Sequence, residues 1–124
     1  MKVAIPRFEE QVAPCFEYSA TITIFTIEDM RIVEQVDFTL QSQRAFDRVR
    51  LLRDQDVETL ICGGVQDRFE DLVGATGIRV ISWVSGNVED LLSRFLNGTL
   101  TPGTGRLGKA RSPAPQIPDG ELNP

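Results

Sequence analysis

The chain has no histidine and only two cysteines in 124 residues. Without an imidazole, neither a Ser-His-Asp nor a Cys-His nucleophile can be assembled. Two thiols are too few to close a four-ligand metal site within one chain. No run of apolar residues approaches the roughly 18 to 20 needed to cross a bilayer, so no membrane partner is expected. The start, Met1-Lys2-Val3-Ala4-Ile5-Pro6, has one basic residue and an apolar run broken by proline, which is not the pattern of a signal peptide. A cytoplasmic location is therefore expected, where two cysteines are read as free thiols or ligands before a disulfide. An excess of basic charge is also missing. Thirteen Lys and Arg face eighteen Asp and Glu, for a net charge of -5 and a pI near 4.7. Such a chain repels a phosphate backbone, and nucleic acid is not an expected partner.

What is present is ordinary for one globular domain: 41% hydrophobic and 25% charged residues. Residues 2–6 read as a short buried strand, followed by a polar loop to Pro14. Residues 19–27 and 31–38 are rich in β-branched side chains with near alternation, and Glu28-Asp29-Met30 between them makes a hairpin turn. Three helices then alternate with two strands. The first helix is expected over 43–55, with Ala45, Phe46, Val49 and Leu52 on its apolar face and Arg44, Arg48 and Arg53 off it. A strand over 57–61 precedes a second helix, where Asp67 and Glu70 resemble a capping box and Gly77 suits the stop. A strand over 78–81 precedes a third helix, capped by Asn87, striped by Val88, Leu91, Leu92, Phe95 and Leu96, and closed by Gly98. The order β-β-β-α-β-α-β-α predicts an α/β domain with a mixed five-stranded sheet and helices on both faces.

Composition changes after residue 98. Residues 99–124 hold five of the seven prolines and four glycines, and predict a disordered tail, either a bare spacer or a docking segment. Within it Gly103-Thr104-Gly105-Arg106-Leu107-Gly108 matches a dinucleotide fingerprint letter for letter. That motif needs a strand before it and a helix after it, whereas Pro102 precedes it and Pro113 and Pro115 follow. No nucleotide is expected.

Carboxylates are plentiful, but Glu28, Asp29, Asp67, Glu70, Asp71, Glu89 and Asp90 fall at turns and helix starts, where they favour the helix dipole. No constellation for an enzyme emerges. The thiols carry more information. Ile61-Cys62-Gly63-Gly64 is an apolar strand that ends in a tight glycine turn before a helix. Ligands of open α/β sheets bind at this end of the strands. If the first and fourth strands are parallel neighbours, Cys15 of Ala13-Pro14-Cys15-Phe16 and Cys62 flank one crevice, which the loop of residues 82–86 also borders. Thiolates select iron–sulfur clusters, zinc or cuprous ions. Cys62 reads equally well as a buried core residue, and Gly63-Gly64 as a tight turn only.

Taken in order, Met1-Lys2-Val3-Ala4-Ile5-Pro6, Val12-Ala13-Pro14-Cys15-Phe16, Ile61-Cys62-Gly63-Gly64-Val65, Gly77-Ile78-Arg79-Val80 and Gly86-Asn87-Val88-Glu89-Asp90 resemble the dinitrogenase iron–molybdenum cofactor biosynthesis family. The family comprises nitrogenase accessory factor-like carrier domains, and the resemblance covers about residues 1–103. It implies a three-layer ribonuclease H-like motif with strand order 3-2-1-4-5 and the second strand antiparallel, here over 1–98 with the tail at 99–124. It also implies a non-catalytic carrier or scaffold for an iron–sulfur or iron–molybdenum type cluster. Cys15 would be the metal ligand. Cys62, Gly63 and Gly64 would form the rest of the cofactor-binding set, the glycine amides donating to cluster sulfides or an anionic group. A cluster donor or acceptor protein is the implied partner, with monomer and homodimer both open. Many relatives carry histidine where this chain has Cys15. The alternative is a metal-free interaction or regulatory module of the same fold.

Overall fold

The computed structural model describes residues 1–42 and 44–105. Strand β1 (Lys2–Phe8) runs through the centre of a mixed sheet, and β2 (Gln11–Val12) folds back on its end. Strands β3 (Thr21–Glu28) and β4 (Arg31–Thr39) form the hairpin, and β5 (Thr59–Ile61) and β6 (Arg79–Ile81) alternate with helices α1 (Ala45–Asp54), α2 (Asp67–Ala75) and α3 (Val88–Leu96). The strand order is β4-β3-β1-β5-β6, with β2 pairing β1 off this path and its Gln11 bridging Asn87. Strand β3 is antiparallel to both neighbours, while β1, β5 and β6 are parallel. Leaving aside the two-residue β2, this is the expected order 3-2-1-4-5 with the second strand reversed.

Two apolar layers explain the sequence pattern. Ala4, Ile22, Ile24 and Leu60 pack with Val49, Leu52, Phe69 and Val73 of α1 and α2. Val3, Ile5, Phe25, Ile27 and Ile81 pack with Val88, Leu91 and Leu92 of α3. Strand β3 is covered on both faces, so its apolar residues need not alternate strictly. The edge strand β4 is exposed along nearly its whole length.

Four details differ from the sequence reading. The loop after Pro6 contains strand pairing, because β1 continues to Phe8 and meets β2 once it has passed the last β5 register pair. On α1, Phe46 is exposed and Arg48 is buried. The Arg48 guanidinium donates through Nε to the Ser19 carbonyl and through Nη1 to those of Ser42 and Arg44, which offsets its desolvation. The capping-box reading of Asp67 and Glu70 does not hold. Gln66 is the N-cap, and Glu70 accepts from the Ser82 hydroxyl at 3.1 Å. Finally, residues 99–105 pack on the domain. Leu100 is buried against the α3 layer, and the Gly103 amide donates to the Ser82 carbonyl at 3.1 Å. The Thr104 carbonyl in turn accepts from the Ser85 amide at 2.9 Å, so a buried leucine and two backbone bonds seat this stretch. The rest of the expected tail, 106–124, lies outside the described residues, and with it the second half of the glycine fingerprint. Its first half follows a helix and a turn, not a strand. Among the described residues no helix is long and apolar enough to cross a membrane.

Candidate functional site

Because β1 and β5 are parallel neighbours, the loops that follow them leave the same end of the sheet. They meet directly: Cys15 and Gly64 form a parallel bridge, with the Phe16 amide donating to the Gly64 carbonyl and the Gly64 amide to the Pro14 carbonyl, both at 2.8 Å. The glycine pair is required by this approach. A Cβ at Gly63 would overlap the Ala13 carbonyl oxygen, and one at Gly64 would lie 3.0 Å from the Pro14 oxygen and 3.1 Å from the Trp83 ring. The expected placement of these loops holds. The expected use of the Gly64 amide does not, since Pro14 already accepts its proton.

The two thiols have different surroundings. Cys15 is partly exposed and precedes the 3-10 turn Phe16–Tyr18. It lines a cleft of about 460 Å³ with Pro14, Gly64, Val65 and Trp83, floored by Glu17 and edged by Gln66 and Asp67. Cys62 is fully buried in the layer of α1 and α2 and does not line that cleft. Burial, with the carboxylates of Glu70 and Glu17 nearby, pushes its thiol up to about 12. A buried thiol held so firmly protonated is an inert core group until something removes the proton.

Glu17, which the sequence reading passed over, organises the site. Its carboxylate is almost wholly buried. One oxygen accepts from the Cys15 thiol at 3.4 Å, and the other accepts from the Gln66 amide at 2.7 Å. In a capping box a glutamate within the helix bonds the N-cap amide. Here Glu17 does so from 49 positions away and thereby ties the Cys15 turn to the start of α2. Burial raises the Cys15 pKa, and the hydrogen bond to Glu17 and its charge raise it further. The only sequence signal was a carboxylate set between Phe16 and Tyr18, two aromatics of which one had to be inside.

Trp83 was also missed, although its loop was placed at this sheet end. It is a non-glycine residue in the left-handed region, φ 62°, a conformation held where surrounding structure demands it. Its amide donates to the Gly63 carbonyl at 2.9 Å, and the Val84 amide donates to that of Cys62 at 3.1 Å. These bonds set the indole beside Gly64 as a wall of the cleft.

The donor set of the cleft is thus one thiol and one exposed carboxylate, Asp67, with Glu17 already engaged on both oxygens. Among the described residues no three Cys, Asp or Glu side chains converge as a metal cage. A larger polar depression of about 560 Å³ runs along α3 past Asn87, Asp90, Arg94 and Asn97, and contains no thiol.

Solved structures share this architecture. A candidate dinitrogenase from Methanocaldococcus jannaschii is 20% identical, with a TM-score of 0.70 over 82% of this chain and 92% of that one. The apo form of the orange protein from Desulfovibrio gigas is 23% identical, with a TM-score of 0.65 over 82% and 91%. A candidate NifB protein from Thermotoga is 26% identical, with a TM-score of 0.61 over 87% and 97%. Comparison with curated proteins finds no match. Residues 1–98 match the family model described as dinitrogenase iron-molybdenum cofactor, and the chain belongs to that family of small cofactor-related proteins.

Proposed function

We propose that this protein holds a small metal–sulfur cluster of the iron–sulfur or iron–molybdenum type as cargo in the Cys15 cleft and passes it on, without catalysing a reaction. The observation that carries this reading is a solvent-reaching thiol at the mouth of a sheet-end cleft, positioned by a buried carboxylate. The donor set suits a cargo that brings its own sulfide and completes its own coordination. It does not suit a bare ion needing four protein ligands. One anchoring thiolate leaves the cargo open on its outer side, as transfer to an acceptor requires. Gly63 and Gly64 contribute by allowing the Cys15 loop to lie against the strand end. Cys62 underlies that turn as a packed thiol and is not called on as a ligand.

A metal-free interaction module is the second reading, favoured by the full burial of Cys62, which leaves the cleft a single soft donor. Anaerobic reconstitution with iron and sulfide separates the two. A charge-transfer absorption band with bound iron, lost in Cys15→Ala, supports the carrier. A colourless, iron-free protein, given neither band nor iron by a preformed molybdenum–iron–sulfur cluster, overturns it.

A further inference from the structure

Residues 99–105 lie beyond the stretch that matches the family, residues 1–98, yet they are built into the domain. Thr101-Pro102-Gly103-Thr104 is a turn, closed from the Thr104 amide to the Thr101 carbonyl at 3.1 Å. Proline is second and a glycine of φ 87° is third, the order a type II turn asks for. The Thr104 hydroxyl closes the turn again. It donates to the Thr101 carbonyl at 2.6 Å and accepts from the Thr101 amide at 3.1 Å.

This strap runs against the loop that carries Trp83, and the loop is held from two sides. On the inner side the Trp83 and Val84 amides donate to the Gly63 and Cys62 carbonyls. On the outer side the Ser82 carbonyl accepts from the Gly103 amide at 3.1 Å, and the Ser85 amide donates to the Thr104 carbonyl at 2.9 Å. The outer bonds thus bracket Trp83, one just before it and one two residues after it. Side chains follow the same line: Leu100 of the strap and Val84 of the loop are buried in one apolar layer with α3. Gly105 lies so near the loop that a Cβ there would overlap the Ser85 carbonyl oxygen. A left-handed backbone on a bulky residue persists where its surroundings over-determine it. For Trp83 those surroundings include the strap.

We propose that the strap of residues 99–105 positions one wall of the Cys15 cleft. Leu100, Gly103 and Gly105 hold the Trp83 loop against the Gly63-Gly64 turn, and lifting the strap lets the indole swing out and opens the cleft. The consequence for cargo rests on the carrier reading, because an open wall retains a cluster less well. The hold on Trp83 does not depend on cargo.

Trp83 is the single tryptophan of the chain, so its own fluorescence reads the test. The full chain is compared with Leu100→Ala, which unseats the strap, and Gly105→Ala, which pushes it off Ser85. Leu100→Met keeps the buried volume and serves as the conservative variant. Val49→Ala, in the layer of α1 and α2, controls for lost stability alone. Each protein is read well below its melting temperature by tryptophan emission, acrylamide quenching and the rate of Cys15 alkylation. Leu100→Ala and Gly105→Ala should shift emission to the red, raise quenching and alkylate Cys15 several-fold faster. Leu100→Met and Val49→Ala should stay near wild type. Once loaded with iron and sulfide, the two strap variants should lose iron to a chelator faster than wild type. Emission and thiol reactivity unchanged in both strap variants, or changed as much in Val49→Ala, would overturn the proposal. The expected fluorescence shifts in a protein that takes up no cluster in any form would sink the carrier reading and leave the strap standing.

Discussion

Glu17→Gln keeps the shape of the buried side chain and removes its charge. Two effects follow from the two bonds. The Gln66 amide loses a carboxylate acceptor at 2.7 Å and gains a neutral one. Hydrogen bonds to charged groups contribute about 1.5–3 kcal/mol and neutral ones about 1, so the fold should lose roughly 0.5–2 kcal/mol. At about 4–8 °C per kcal/mol for a domain near 100 residues, the melting temperature should fall by roughly 2–16 °C. At Cys15 the direction reverses. Burial is the first cause of its raised pKa and remains, but the hydrogen bond to a carboxylate and the nearby negative charge both disappear. The thiol should therefore ionise at lower pH and react faster with iodoacetamide near neutrality, even as the protein becomes less stable. The assay is the alkylation rate against pH with mass-spectrometric site assignment, since Cys62 is fully buried in the native protein. A reactivity profile that stays in place or moves to higher pH would refute the role given to Glu17.

Other consequences can be measured alongside. Gly63→Ala forces its new methyl into the Ala13 carbonyl, and such overpacking costs about 1–3 kcal/mol, so the melting temperature should drop while Gly74→Ala, where nothing lies within 4 Å, is tolerated. Cys62 is held neutral in the fold up to about 12, against an ordinary value near 9. A raised pKa contributes stability that is complete below pH 9 and fades as pH climbs toward 12, by up to about 4 kcal/mol. Denaturant titrations across that range should show a steeper alkaline loss for wild type than for Cys62→Ala. Asn87→Ala removes the acceptor for the Glu89 and Asp90 amides and should cost about 1 kcal/mol by the same method.

Much of the architecture could be read from the sequence because its signals were local. The apolar stripe of α3, with Asn87 ahead and Gly98 behind, specified that helix and its cap. The β-branched runs around Glu28-Asp29-Met30 specified the hairpin. The resemblance supplied the strand order, and the parallel pairing of β1 with β5 brings Cys15 to Gly64 as that order requires. Long-range interactions were not legible. Arg48 looks like a solvent residue until Ser19, Ser42 and Arg44 turn their carbonyls toward it. Glu17 looks like a loop carboxylate until α2 starts on it. The split between a mouth thiol and a core thiol depends on which side of the turn each faces, and spacing alone does not carry that. Trp83 lacked a signal because its left-handed backbone is imposed by carbonyls of Cys62 and Gly63, from a different strand end.

Anaerobic loading with iron and sulfide, read as an iron count and an absorption spectrum on wild type, Cys15→Ala and Cys62→Ala in parallel, decides whether Cys15 anchors a cluster. A cluster band is expected in wild type and in Cys62→Ala, and none in Cys15→Ala. Equal loading in all three, or loss in Cys62→Ala alone, would contradict it.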